Sequence, residues 1–149
     1  MDFPRLEKVP SVAAVMTPFP FSVAADAPIT AAEALMEQHG IRHVPVRDGE
    51  TLVGVITERD VALLVDTSLP VPERARIPVH RICSAHPYMV DMHESLGTVT
   101  REMAARRVDC ALVLRDARLV GIFTSSDACR VLAEILGSPP VPERPDEAA

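Results

Sequence analysis

Thr57 and Asp60 stand three residues apart and return as Thr124 and Asp127, 67 residues further on (57 to 124, 60 to 127). A hydroxyl and a carboxylate at this spacing suit the start of a helix, where they have two uses. They can close the helix end on itself, the hydroxyl accepting a bond from a backbone N–H while the acid reaches back or offsets the dipole. They can also serve a ligand: a helix N-terminus with a threonine hydroxyl attracts phosphate, and an Asp one turn in accepts hydrogen bonds from both hydroxyls of a ribose. Gly54 and Gly121 precede the two pairs at the same offset. A glycine there either lets backbone approach a ligand or marks tight packing. Gly, Thr and Asp return together while many neighbours vary, which favours the ligand, because a pure cap would tolerate Ser, Asn or Asp in place of Thr.

Other chemistry is sparse. The sequence has no Gly-x-Ser-x-Gly elbow, no His-Glu-x-x-His and no P-loop lysine pattern, and Ser125 and Ser126 beside Asp127 make no triad without a positioned base. No catalytic residue is expected. His39, His43, His80, His86 and His93 have no ligand spacing, and Cys83, Cys110 and Cys129 show no Cys-x-x-Cys pair. Neither a metal site nor a disulfide framework is expected, and the cysteines read as reduced, mostly buried small hydrophobes. A formal charge of −6 disfavours nucleic acid and anionic membranes, both of which need a basic face. With no apolar stretch of membrane length and no basic-then-apolar leader in Met1–Pro10, the expected location is the cytoplasm.

The elements that position these residues also repeat. Without a gap, the 67-residue offset pairs Pro20 with Pro87, Val23 with Val90, Met36 with Met103, Val46 with Val113 and Val53 with Val120. Such a period makes the chain two copies of a smaller unit. Its 149 residues, 48% hydrophobic with few aromatics, suffice for one aliphatic core rather than two independent ones. In the first copy, Pro20–Val23 suits a brief strand. Pro28, the stripe Ile29, Ala32, Leu35 and Met36, and Gly40 then predict a helix with its start and stop. His43–Val46 and Leu52–Ile56 read as a hairpin turned by Asp48-Gly49, followed by a helix through Val61, Leu64 and Val65. The second copy repeats this with Leu96, Val99 and Met103, a hairpin of Cys110–Leu114 and Leu119–Phe123 turned around Asp116 without glycine, and a helix through Val131, Leu132, Ile135 and Leu136. The expected fold is α/β (α+β), a β-α-β-β-α unit occurring twice. Residues 1–11 form a lead-in, 12–66 and 79–136 the repeats, 67–78 an extended linker in which prolines resist helix and strand, and 137–149 a loose tail.

The repeated unit ending in Gly-h-x-Thr-x-x-Asp (h apolar), with Val15-Met-Thr-Pro18 leading in and Arg42-His-Val-Pro-Val46 on the middle strand, resembles a tandem pair of CBS domains over roughly residues 12–136. That resemblance implies a regulatory module whose repeats face each other across a pseudo-two-fold axis, sheet to sheet. It implies adenosine-containing ligands in the clefts between them: AMP, ADP or ATP, with NAD or S-adenosylmethionine as alternatives and no obligatory cofactor. It also implies a homodimer. Carried over by position, Asp60 and Asp127 hold ribose, and Thr57 and Thr124 meet phosphate. Adenine lies against Thr17, Pro18, His43, Val44 and Pro45 in the first copy and Ser84, Ala85, Cys110, Ala111 and Leu112 in the second. The second base pocket departs from the first, since Cys83-Ser-Ala85 replaces Met16-Thr-Pro18 and Leu112 replaces Pro45. Arg59 offers phosphate a charge-assisted bond or is a solvated helix residue, while Ser126 at the matching position offers a neutral hydroxyl. His43 either faces the adenine cleft or is a half-buried strand residue.

Two functions follow from this reading. One is a ligand-sensing module, standing alone and acting on a client protein that is another chain. The other is a ligand-independent dimerisation scaffold with unused clefts. Survival of both motif acids favours sensing.

Overall fold

The computed structural model describes residues 3–66 and 68–139. In chain order its elements are β1 (Thr17–Pro18), β2 (Val23–Ala24), α1 (Ile29–His39), β3 (His43–Asp48), β4 (Thr51–Thr57), α2 (Glu58–Asp66), α3 (Val71–Arg74), β5 (Met89–Asp91), α4 (Leu96–Arg106), β6 (Cys110–Arg115), β7 (Arg118–Thr124) and α5 (Ser125–Ile135). Strand β2 through α2 and strand β5 through α5 are the two expected β-α-β-β-α units, so the fold class is the mixed α/β one read from the sequence.

Local chemistry explains most boundaries. Pro28 is extended before α1, and Gly40 ends the helix in the left-handed region at φ 62°, its N–H donating to the Met36 carbonyl. The buried stripe of α1 is Ile29, Ala32 and Met36; that of α4 is Leu96, Val99 and Met103. At the end of α4, Arg107 takes the conformation of Gly40, with φ 54°. In the first hairpin Gly49 supplies the positive φ of 61°. The second hairpin turns through Asp116 at 49° and Ala117 at 63°, the two left-handed central residues of a type I′ turn made without glycine.

Two expectations need correction. The first strand is only Val23–Ala24, and Phe21 before it stacks on His39, ring centroids 3.8 Å apart. The linker is not wholly extended: Val71–Arg74 is a helical turn. Pro72 is tolerated there because an N–H in the first turn has no acceptor in any case. Arg74 fastens the turn to α1, its Nε donating to Glu33 at 3.1 Å and its Nη1 to the Leu69 carbonyl at 2.8 Å. The tail expected over 137–149 lies outside the described residues beyond Pro139.

The single aliphatic core expected from composition is instead two: the chain divides into two compact bodies, each with its own core, and their limits are not those of the repeats. One body is Pro20–Pro87; the other joins the described residues up to Phe19 with those from Tyr88 onward. The first holds the sheet β2-β3-β4, with β2 parallel and β4 antiparallel to β3. The second holds the sheet β1-β7-β6-β5, in which β1 from the lead-in runs antiparallel to β7. The same exchange occurs in the first body, where Ser84 forms an antiparallel bridge with Val55 of β4. Val79 accordingly sits in the core of the first body with Ile29, Val44, Val46 and Ile56. Its counterpart Val12 sits in the other core with Val99, Ala111, Val113 and Phe123. Both valines are 0% exposed. Each repeat therefore gives its opening segment to the hairpin of the other.

Candidate functional site

At the first corner β4 runs straight into α2. The Thr57 N–H donates to Asp60 Oδ2 at 2.8 Å, and the Asp60 N–H donates to Thr57 Oγ1 at 3.2 Å. At the second corner, between β7 and α5, the Thr124 N–H donates to Asp127 Oδ2 at 2.9 Å and the Asp127 N–H to Thr124 Oγ1 at 3.3 Å. Both are capping boxes, in which two orphan donors of a helix start are satisfied reciprocally. The capping use of the pair is thus realised at both corners, and it holds each carboxylate at the mouth of a helix dipole. Asp127 is buried at 7% exposure; Asp60 is half-buried.

The recurring glycines answer to packing. A Cβ on Gly54 would overlap the Ser84 carbonyl oxygen and come within 2.9 Å of Cys83 Sγ; on Gly121 it would overlap Met16 Sδ. The exchanged opening segment of the other repeat crosses each strand at that residue, and only glycine leaves room. Tight packing, one of the two sequence readings, is what the structure displays.

The exchange also regroups the residues expected to line an adenine. Thr17 and Pro18 are in register with Ile122 and Gly121 of β7, the strand that ends at Thr124 and leads into Asp127 of α5. Ser84 bridges to β4, the strand that ends at Thr57 and leads into Asp60 of α2, with Ala85 next in the chain; Thr17, Pro18, Ser84 and Ala85 are all exposed. Asp60 is close enough to Cys83 that its charge, after the larger effect of burial, raises the thiol pKa. By body, Ser84 and Ala85 lie with His43–Pro45, and Thr17 and Pro18 with Cys110–Leu112. Sequence offset alone could not reveal this, because a gapless repeat looks the same whether or not its ends are exchanged.

On the middle strands, Val44 and Ala111 are 0% exposed and belong to the two cores, so what they can offer a base is backbone. His43 is half-buried, and Pro45, Cys110 and Leu112 are buried. Since β2 pairs only with Val46 and Arg47, and β5 only with Leu112 to Leu114, among the described residues the outer edge of β3 from His43 to Pro45 and that of β6 at Cys110 and Ala111 have no strand beside them. Each open edge ends beside its threonine, because His43 is in register with Thr57 and Cys110 with Thr124. A backbone edge next to a hydroxyl and a carboxylate matches the donor and acceptor needs of an adenine, a phosphate and a ribose respectively.

The CBS domain family profile matches residues 12–66 and again 79–134. The chain belongs to the CBS domain family. Among curated relatives it is 30% identical over 113 residues to Hypoxic response protein 1 of Mycobacterium tuberculosis, covering 71% of this chain and 73% of that one. It is 28% identical over 117 residues to inosine-5'-monophosphate dehydrogenase of Streptococcus pyogenes, covering 76% of this chain. The chain spans only 22% of the length of that dehydrogenase. Among solved structures, the CBS domain of a bacterial CNNM/CorC family Mg2+ transporter in complex with ATP superposes with a TM-score of 0.73 at 25% identity, covering 87% of this chain and 89% of that one. The CBS domain pair of protein MJ0100 in complex with 5'-methylthioadenosine and S-adenosyl-L-methionine gives 0.76 at 23% identity, covering 86% and 99%; at that identity the likeness is one of fold.

At the corners of this CBS pair, Arg59 is exposed, and Ser126 at the matching position is exposed also. At the turn end of the first hairpin, a recess of about 450 Å3 is bordered by Asp26, Arg47, Asp48 and His80; no sequence pattern announced it. Among the described residues no three His, Cys, Asp or Glu come together as metal ligands, and no helix is long and apolar enough to cross a membrane.

Proposed function

We propose that this CBS pair is a regulatory, ligand-sensing module that binds adenosine-containing ligands at its strand-to-helix corners and passes their occupancy to a client protein. The observation that carries the reading is at the first corner. After Thr57 and Asp60 have satisfied each other, Asp60 Oδ1 has no partner among the described residues, leaving an acceptor for a ribose hydroxyl. In this reading Asp60 and Asp127 take the ribose, Thr57 and Thr124 the phosphate, and Arg59 adds a charge-assisted bond at the first corner. His43, Pro45, Ser84, Ala85 and the Val44 backbone border the base in one body. Thr17, Pro18, Cys110, Leu112 and the Ala111 backbone do so in the other. Support comes from the complexes of other CBS domains with ATP and with S-adenosyl-L-methionine. The module works as a homodimer in the cytoplasm. Leu132, Ile135 and Leu136, 50 to 72% exposed near the end of α5, offer apolar surface for such association.

The test is thermal melting of the purified protein with AMP, ADP, ATP, NAD and S-adenosylmethionine. A ligand that binds only the folded state, present at about 100 times its dissociation constant, adds roughly 2.7 kcal/mol. Because Asp60 also caps α2, Asp60→Ala lowers the melting temperature of the free protein by itself, through a loss of about 1 kcal/mol. The informative quantity is the ligand-induced shift, which this substitution should abolish for a ligand held at the first corner. No shift with any of the five ligands would leave the dimerisation scaffold as the function.

A further inference from the structure

The two corners share a hydroxyl and an acid but differ in what remains for a ligand. At the first corner, among the described residues, Asp60 Oδ2 accepts one bond, Oδ1 accepts none, and the Thr57 hydroxyl accepts the Asp60 N–H while donating to nothing. At the second, Asp127 Oδ2 accepts both the Thr124 N–H and the Thr124 hydroxyl, the latter at 3.0 Å. Asp127 Oδ1 accepts Arg130 Nη1, also at 3.0 Å. Arg130 lies one turn further along α5, and the matching position in α2 is Leu63, which is 62% exposed and can make no such bond.

We propose that Arg130 is a specificity-determining residue that latches the second corner, so that one adenosyl ligand binds per chain, at the first corner. This rests on the function proposed above and narrows it: of the two corners considered there, only the first takes the ligand. A ribose diol needs free lone pairs on the carboxylate, which has about four in all. Three are taken at Asp127 and both oxygens are engaged, whereas at Asp60 one whole oxygen remains. The latch sits on a mostly buried acid, the Asp127 side chain being 9% exposed and Arg130 44%, so a ribose hydroxyl can reach that oxygen only by displacing a charge-assisted hydrogen bond. The cations contrast as well. Arg59, immediately before Asp60, has no partner among the described residues and is free to meet a phosphate. Arg130 is committed to the acid.

The experiment is calorimetric titration of the full chain with AMP, and with ATP in parallel. The wild type should bind one nucleotide per chain, and Asp60→Ala should weaken that binding tenfold or more. Arg130→Leu, which copies the first corner, should create a second site, raising the stoichiometry to two. Asp127→Ala added to Arg130→Leu should return it to one. Leu63→Arg should latch the first corner and weaken its binding about tenfold, the effect of a lost hydrogen bond to a charged group. Arg130→Gln serves if Arg130→Leu melts below the working temperature. Two equal sites in the wild type would overturn the latch, as would weaker binding in both Arg130 variants, since Arg130 would then be a ligand contact. Heat that vanishes in Arg130→Leu but persists in Asp60→Ala would place the nucleotide at the second corner and overturn it too. Absence of binding to every protein, wild type included, would overturn the ligand-sensing function itself, a result distinct from any of these.

Discussion

At the scale of single residues, the three cysteines illustrate how burial, more than any neighbouring charge, divides one chemistry into three. Cys110 opens β6 in the interior, and desolvation, helped by the nearby charge of Asp109, pushes its pKa up to about 12 from an ordinary 9.0. Cys83 is half-buried and shifted in the same direction, while Cys129 is exposed on α5. The thiolate is the reactive form. Cys129 should therefore label with an alkylating reagent at pH 8 well before Cys83, and Cys110 only on unfolding, as peptide mapping of a time course will show. The same shift has a consequence for stability. The folded pKa of Cys110 lies above the unfolded one, so the native state holds its proton longer. The resulting stabilisation is fully present below pH 9 and disappears between about 9 and 12. Within that window each pH unit should remove about 1.4 kcal/mol through this residue. Denaturant melts of wild type and Cys110→Ala should converge as the pH is raised across the window; curves that stay parallel would show that Cys110 is not protected from ionisation.

At the scale of elements, the exchanged segments explain why glycine recurs at 54 and 121, and they set unequal penalties for losing it. In front of Gly54 stands the Ser84 backbone, itself tied to Val55 by bonds of 2.9 and 3.2 Å, whereas in front of Gly121 stands the flexible end of Met16. Gly54→Ala should therefore cost about 3 kcal/mol, the upper end for overpacking a core, and Gly121→Ala about 1 kcal/mol because a thioether can turn aside. Chemical denaturation of the two variants measures the difference, and equal losses would refute the account. The element pattern itself was legible in the sequence, because proline, glycine and the 3.6-residue stripe act within each element. Pro28, Gly40 and Asp48-Gly49 each sit where the structure uses them. The turn at Asp116–Ala117 was legible despite its missing glycine, since the flanking apolar runs are in register. Two things were not legible. The helical turn at Val71–Arg74 depends on Arg74 finding Glu33, 41 residues away. The exchange of opening segments depends on contacts that a repeat offset does not encode. The Thr and Asp pairs were visible at once, but the inequality of their corners lies in Arg130, three residues after Asp127 on α5; that spacing allows an ion pair, yet whether it engages the acid or leaves it for a ligand is settled only by the side-chain arrangement.

At the scale of the whole molecule, the decisive fact is that a repeat of the sequence and a body of the fold are different objects. The family profile ends its first match at residue 66 and resumes at 79, but the first body closes only at Pro87. Val79 fills the middle of its core at 0% exposure. Around it the backbone is stitched to the start of α1: the Val79 N–H donates to the Ala27 carbonyl at 2.8 Å and the Ile29 N–H to the Ile77 carbonyl at 2.9 Å. A fragment cut at the repeat, residues 12–66, lacks these and carries Val12, whose partners lie in the other body. A fragment cut at the body, residues 20–87, keeps its apolar core entire. Chains of this size are marginal, since they bury only about 60% of their unfolded surface, so the missing valine should decide between folding and not folding. Removing most of one buried aliphatic side chain costs on the order of 2 kcal/mol with its cavity, a large part of what a small domain has to spare. Circular dichroism should show a cooperative melt for 20–87, lowered by Val79→Ala, and none for 12–66. A cooperative melt for 12–66 would mean that the opening segments only decorate the hairpins they cross; its absence, with 20–87 folded, would mean that the gene duplication and the folding unit are offset by one exchanged segment, so that neither corner can be built from one repeat alone.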